Sequence, residues 1–402
     1  MSHLRAFVAF ALTVALLPLL LTAPGNAAMV SDGASLSKTT KTSAARKKAQ
    51  RGRIAVLPTV SSSSKRDQSA NRAKAVGEAI FPSVKAGRKV VVQRSNDGGS
   101  TWSKWDVQKT DDNGRVAFKP ASPAGAGYWT YQAKVKGLPA KTGTATDDWN
   151  LIFDESFSSR SSFDSRWSTR GDAYDKGSLR KCSKASPKMA KVGGGVLTLK
   201  VKRDGSRKGD VCKWRKPGTS KKFKNPYYLN GHVGTEQSFD FRYGVAAARV
   251  KFQKSRGMHG SFWMNTSGNA PQGTRPVEID AVEFFGKGHK DGGLAQFLHY
   301  KGRKIGGLKK NAGDVLKGSD NWWKKYHVFS VEWTPQGYSF RIDGQETFRT
   351  SKAVSNKQVF PILSLLSSDY ELKNMPKSGK GSLKVDWVRV WQTPELARKN
   401  LQ

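Results

Sequence analysis

From Trp149 to Trp391 the chain is a succession of short extended runs, none of which carries the 3.6-residue apolar period of a helix. Examples are Val196-Leu-Thr-Leu-Lys-Val201, Val245-Ala-Ala-Ala-Arg-Val-Lys-Phe252, His327-Val-Phe-Ser-Val-Glu-Trp333 and Leu383-Lys-Val-Asp-Trp-Val-Arg-Val-Trp391. Turn residues separate them, as in Asp343-Gly344, which follows Tyr338-Ser-Phe-Arg-Ile342. A segment this long, made of strands and turns, buries its apolar residues as one large antiparallel β-sandwich. No fixed period repeats along it, which excludes a propeller or solenoid.

Ahead of it, over residues 76–137, lies a smaller set of β-like runs: Lys89-Val-Val-Val-Gln93, Trp102-Ser-Lys-Trp-Asp-Val107, Val116-Ala-Phe118 and Tyr128 to Val135. Hairpin signals at Asn96-Asp-Gly-Gly99 and Asp111-Asp-Asn-Gly114 punctuate them, so a small immunoglobulin-like or fibronectin-like sandwich is expected. Its Trp102, Trp105, Trp129 and Tyr131 are candidates for a sugar-stacking platform, with core packing the alternative for at least half of them. Residues 138–147 read as a linker, and residues 148–396 as the large domain.

The first 28 residues have a basic start, an apolar stretch from Ala6 to about Leu21 and small residues at Gly25, Ala27 and Ala28. This is the pattern of a cleaved secretory signal and predicts a secreted protein without a stable membrane span. A retained anchor is the competing reading, but the apolar run is short and Pro24 follows it. Residues 29–75, rich in Ser, Ala, Lys and Arg, read as a basic disordered tether. Cys182 and Cys212 are the only cysteines, and in an oxidising compartment they are expected to pair. The formal net charge of +39 attracts polyanions, so an electrostatic association with an anionic cell envelope is expected, without specific nucleic-acid binding.

The chemistry is concentrated in Val277-Glu-Ile-Asp-Ala-Val-Glu-Phe-Phe285. On a regular strand Glu278 and Asp280 share a face, whereas Glu283 points to the other. One extra residue near Ala281-Val282, a β-bulge, would return Glu283 to the side of the first two. The apolar flanks then predict a strand buried on one side, with three mutually repelling acids lining a cleft on the other. Two glutamates so placed suit retaining glycoside hydrolysis if their side chains lean together over Asp280. An acidic strand edge or a calcium site is the plainer alternative.

Glu278-Ile-Asp280-Ala-Val-Glu283 resembles the signature of glycoside hydrolase family 16, the laminarinase, lichenase, agarase and carrageenase group, in its bulged form. The resemblance extends through Leu151 to Phe157 with Trp167, Tyr243-Gly244, Arg249-Val-Lys251, Ser261-Phe-Trp-Met264, His299-Tyr300 and the closing Val385 to Trp391. It implies a jelly-roll, concanavalin-like catalytic domain with Glu278 as nucleophile, Glu283 as general acid then base, and Asp280 holding Glu278 in its charged state. It further implies Trp263 as a sugar-stacking wall and His299 as a polar neighbour, with His259, Arg249 and Tyr228 as the remaining candidate substrate-binding residues. Two positions depart from the laminarinase pattern. His259-Gly260 stands where Trp-Pro is common, and Leu363-Ser364-Leu365 where an Asn is common.

The expected activity is endo-hydrolysis of β-1,3- or mixed-linkage β-glucan by a monomer. No metal is expected in the chemistry, and room is left for a structural calcium. The alternatives are a non-hydrolytic carbohydrate- or wall-binding protein, an enzyme for a galactan such as agarose or carrageenan, and a transglycosylase.

Overall fold

The computed structural model describes residues 52–62, 73–121, 127–215, 218–268, 276–289, 292–308 and 322–399. The architecture is all-β, and the large domain is a two-layered antiparallel sandwich of the jelly-roll type. One layer runs Arg303–Leu308, Leu294–Tyr300, Glu278–Phe284, His259–Thr266, Val359–Leu366, Tyr228–Gly234. The other runs Val196–Arg203, Lys380–Gln392, Gly244–Lys251, His327–Thr334, Gly337–Ile342, Gln345–Thr350. The core between them contains Ile279, Phe284, Phe329, Leu363 and Val388, all fully buried.

The two layers share a strand. Tyr228 and Asn230 pair with Arg203 and Val201 of the second layer, while Gly231 to Gly234 pair with Leu365 to Ile362 of the first. At the crossing a side chain on Gly231 would lie 2.9 Å from both Leu199 Cβ and the Met189 carbonyl oxygen, so the strand changes layers at a residue without one. The expected turn at Asp343-Gly344 is present, with both φ values positive (49° and 81°) and Ile342 paired to Gln345.

Two expectations for the amino-terminal part differ from what is found. The tether assigned to residues 29–75 includes Arg53–Ser62, which is a ten-residue strand paired with Ala73–Ile80. Its residues alternate between two cores: Ile54 and Val56 face the small sandwich, whereas Ala55, Leu57 and Val60 pack on the outer face of the large domain against Val245, Ala247 and Trp387. Pro58 falls where the register with Ala73–Ile80 shifts, the position a sheet tolerates. A basic, Ser-rich neighbourhood hid this short period-2 run. The rest of the assigned tether lies largely outside the described residues.

Likewise the 138–147 linker is part of the small domain's edge. Ala145–Thr146 pairs with Thr130 and Tyr131, and the buried Thr142 hydroxyl accepts from the Ala133 N–H at 2.9 Å. The small domain itself is a sandwich of two sheets, one of three strands and one of four. Its aromatic residues divide, with Trp102, Trp105 and Trp129 partly buried. Tyr131 is fully buried, and the Arg94 guanidinium lies 4.0 Å from the ring centres of both Trp105 and Trp129.

The two domains therefore share an apolar seam, reinforced by polar contacts. Trp149 Nε1 donates to the Val56 carbonyl at 2.8 Å. Buried Arg341 lies 2.8 Å from Glu332 and 3.7 Å from Glu78 of the small domain, and Arg53 reaches Glu346 at 2.8 Å. Truncating Leu57→Ala removes a side chain buried in the seam. It should lower stability by about 2–5 kcal/mol, read by denaturant titration, with both domains still melting in a single transition.

Candidate active site

The carboxylate strand Glu278–Phe284 lies between His259–Thr266 and Leu294–Tyr300. Phe262 opposes Val282 and Trp263 opposes Asp280, so Ala281 has no residue across from it. The same irregularity shows on the other edge, where Asp280 opposes Phe297 and Glu283 opposes Ala295. Ile279, Ala281, Val282 and Phe284 are all fully buried in the sandwich core. Two successive residues thus point inward, and Glu278, Asp280 and Glu283 emerge together on the opposite face.

Crowding sets the protonation of this trio. Asp280 is 2 % exposed, and its carboxyl is pushed well above the usual range by burial, then by the charges of Glu283 and Glu278. Glu278 is also raised, by burial and by Glu283, against the opposing pull of Arg180 and Arg170. His299 Nε2 lies 3.7 Å from Glu278 Oε1, and burial, with Lys304 nearby, depresses the ring's basicity. Atoms of Glu278, Asp280 and His299 lie within 4.8 Å of one another. A cation there would need the ionised form of Asp280, which burial disfavours.

The walls are built from neighbouring strands and loops. Trp263 Nε1 donates to Ser364 Oγ at 3.2 Å, and its ring lies over His232 with centroids 6.0 Å apart. Burial and the Arg170 and Arg180 charges drive the His232 pKa down to about 3, so that ring is neutral. Arg170 pairs with Glu236 at 3.1 Å, 6.0 Å from the Trp263 ring. At the other end His259 is buried, with Nδ1 2.6 Å from Glu371 Oε2 and Nε2 3.9 Å from Glu283 Oε1.

The family model of the glycosyl hydrolases family 16 matches residues 185–389, just over half of the chain. The chain belongs to that family. Solved structures align over the large domain at low identity. One is the laminarinase catalytic domain of Thermotoga maritima MSB8, with 19 % identity, a TM-score of 0.47, and coverage of 61 % of this chain and 99 % of that one. Another is the endo-β-1,3-glucanase of Pyrococcus furiosus, with 20 % identity, a TM-score of 0.46, and coverage of 61 % and 94 %. No curated protein sequence matches the chain.

Within this family 16 domain, two expected sugar-binding residues lie elsewhere. Arg249 is 2 % exposed in the other layer, where its Nη1 donates to Asp386 at 2.6 Å and its guanidinium covers the Tyr326 ring. It shares its strand face with Val245 and Ala247, which lie under the small domain, so it braces that sheet. Tyr228 is a core residue, 3 % exposed. His259 is too buried to offer a surface to sugar and instead joins two carboxylates.

Sequence reasoning did not find Arg170, Arg180, His232 or Glu371, which come from loops and strands remote from the carboxylate run. Ser364 had been noticed only as a substitution for Asn. Arg180 sits two residues before Cys182, whose disulfide to Cys212 is formed, with Cα atoms 5.5 Å apart. Asp369 accepts from the backbone N–H groups of Lys181 and Cys182 at 3.0 Å each, tying the Arg180 loop to the segment that carries Glu371. Replacing both cysteines by serine opens a 30-residue separation. Thermal or denaturant unfolding should show a loss of about 3–4 kcal/mol, and the variant should keep the fold while weakening cleft binding.

Proposed function

We propose that this family 16 glycosidase is an exported, retaining, endo-acting β-glycan hydrolase whose substrate is β-1,3- or mixed-linkage β-glucan. The observation that carries the reading is the bulge at Ala281, which puts Glu278, Asp280 and Glu283 on one face of the cleft. The signal-like first 28 residues support export, the resemblance of the motif to family 16 supports a β-glycan substrate, and within that group glucan is our choice.

In the first step a Glu278 oxygen attacks the anomeric carbon while Glu283 gives its proton to the departing glycosidic oxygen. In the second, Glu283 takes a proton from water as the water oxygen attacks the same carbon and Glu278 is released. Burial between two other acids favours the protonated form of Asp280, whose Oδ2 has no hydrogen-bond partner and whose carboxyl lies within 4.8 Å of Glu278, so that form is placed to turn a proton toward an ionised Glu278 and orient it. Trp263, braced by Ser364 and His232, supplies a flat apolar wall for a pyranose ring.

Reducing-sugar release should be found with laminarin or lichenan, and little with agarose or carrageenan. Glu278→Gln should abolish it while oligosaccharide binding persists; loss of neither would refute the enzyme reading, and release from agarose alone would refute the glucan assignment. Asp280→Asn, which keeps a donor but not the ionisable group, should lower kcat by on the order of 10²-fold.

The nucleophile must be ionised, and its pKa is raised from the ordinary 4.5. Activity should therefore fall on acidification at a pH above 4.5, the acid limb of a kcat/KM profile. An acid limb lying below the ordinary glutamate value would contradict the burial of Glu278.

A further inference from the structure

His259 opens the strand beside the carboxylates, with its ring enclosed and its two nitrogens aimed at different acids. Nδ1 is 2.6 Å from Glu371 Oε2, and Nε2 is 3.9 Å from Glu283 Oε1. Glu371 is itself buried, and its Oε2 also accepts from the Ser368 N–H at 3.1 Å. Phe285 covers the ring, with centroids 5.3 Å apart.

A neutral imidazole has one N–H, so it can donate to only one of two flanking carboxylates. A doubly protonated ring can face both. Burial by itself would strip the second proton, but the charge and hydrogen bond of Glu371, followed by the charge of Glu283, outweigh it and raise the ring's basicity. The groups facing the ring are Glu371 from the loop after Val359–Leu366, Glu283 from the adjoining strand, Arg180 from the loop before Cys182, whose charge opposes ring protonation, and the neutral His232.

Resting on the assignment of Glu283 as acid then base, we infer that His259, charged and neutralised by Glu371, is a positioning residue for Glu283. When Glu283 has passed its proton to the leaving oxygen, the Nε2–H of His259 faces the carboxylate that remains. The imidazolium favours that ionised form and fixes its direction until water returns a proton to it. His259 keeps its own protons throughout, so nothing is transferred along the pair. Glu371 makes the arrangement tolerable, since it compensates a buried cation that would otherwise stand uncompensated.

The test is a set of kcat/KM–pH profiles on a polymeric β-glucan for the wild type, His259→Gln and Glu371→Gln, joined to ¹H–¹⁵N spectra of the histidine rings. The wild-type His259 ring should be doubly protonated at pH 7, and in Glu371→Gln it should be neutral. The basic limb, set by ionisation of Glu283, should move up by about half to one pH unit in Glu371→Gln and further in His259→Gln. Both should lose about ten-fold or more in kcat on glucan and on a dinitrophenyl glycoside, whose second step still needs Glu283 as base, while kcat/KM on the dinitrophenyl glycoside, whose leaving group needs no proton, should hardly move. A purely structural role would depress kcat and kcat/KM alike on both substrates and leave the limb in place, which overturns the inference.

Glu371→Gln is nearly isosteric and guards against misfolding of the His259 variant. If the wild type cleaved no glucan, the functional reading would fall. The contact would then be decided by whether Glu283→Gln lowers the ring pKa of His259, and an unchanged value would overturn it.

Discussion

Everything in the cleft depends on two neighbouring residues, Ala281 and Val282, both pointing into the same apolar core. A strand allows this only where its ladder is broken by one extra residue, and the break is visible against both flanking strands. The core supplies the driving force, because Ile279, Ala281, Val282 and Phe284 are all sealed from water. Restoring the register would put Glu283 among hydrocarbon side chains, at the high cost of an unpaired buried charge. Apolar packing on one face of the strand thus decides where the carboxylates on its other face can be.

The electrostatic character of the cleft follows from that placement. Three acids brought together disfavour one another's charged forms, and Asp280, the most enclosed, is pushed well above its ordinary range. Arg170 and Arg180 moderate Glu278 from one side, while His259 with Glu371 addresses Glu283 from the other. The two glutamates, equivalent in sequence terms, consequently sit in different surroundings, which is the condition for two carboxylates to take different roles.

Legibility in the sequence divided along physical lines. The sandwich and the kink in the carboxylate strand could be read because period-2 patterns and a mismatch between spacing and face are local properties. The strand Arg53–Ser62 was obscured because its burial is split between two cores, and its basic surroundings averaged away a short apolar run. Arg249 and Tyr228 are candidate sugar contacts by sequence, yet a strand residue can serve either layer of a sandwich, and only the fold tells which. Arg180 and Glu371 left no trace, since they approach the cleft on loops tied together by Asp369.

The seam through Leu57, Val60 and Trp387 also has a bearing on how the cleft is presented. An accessory module on a flexible leash explores a volume and raises the local concentration of its catalytic partner around any anchoring point. Here the small sandwich is welded to the back of the sheet, so the angle between any surface it rests on and the cleft is set once, at folding. The orientation of the cleft to whatever the small domain contacts is then a matter of geometry instead of diffusion.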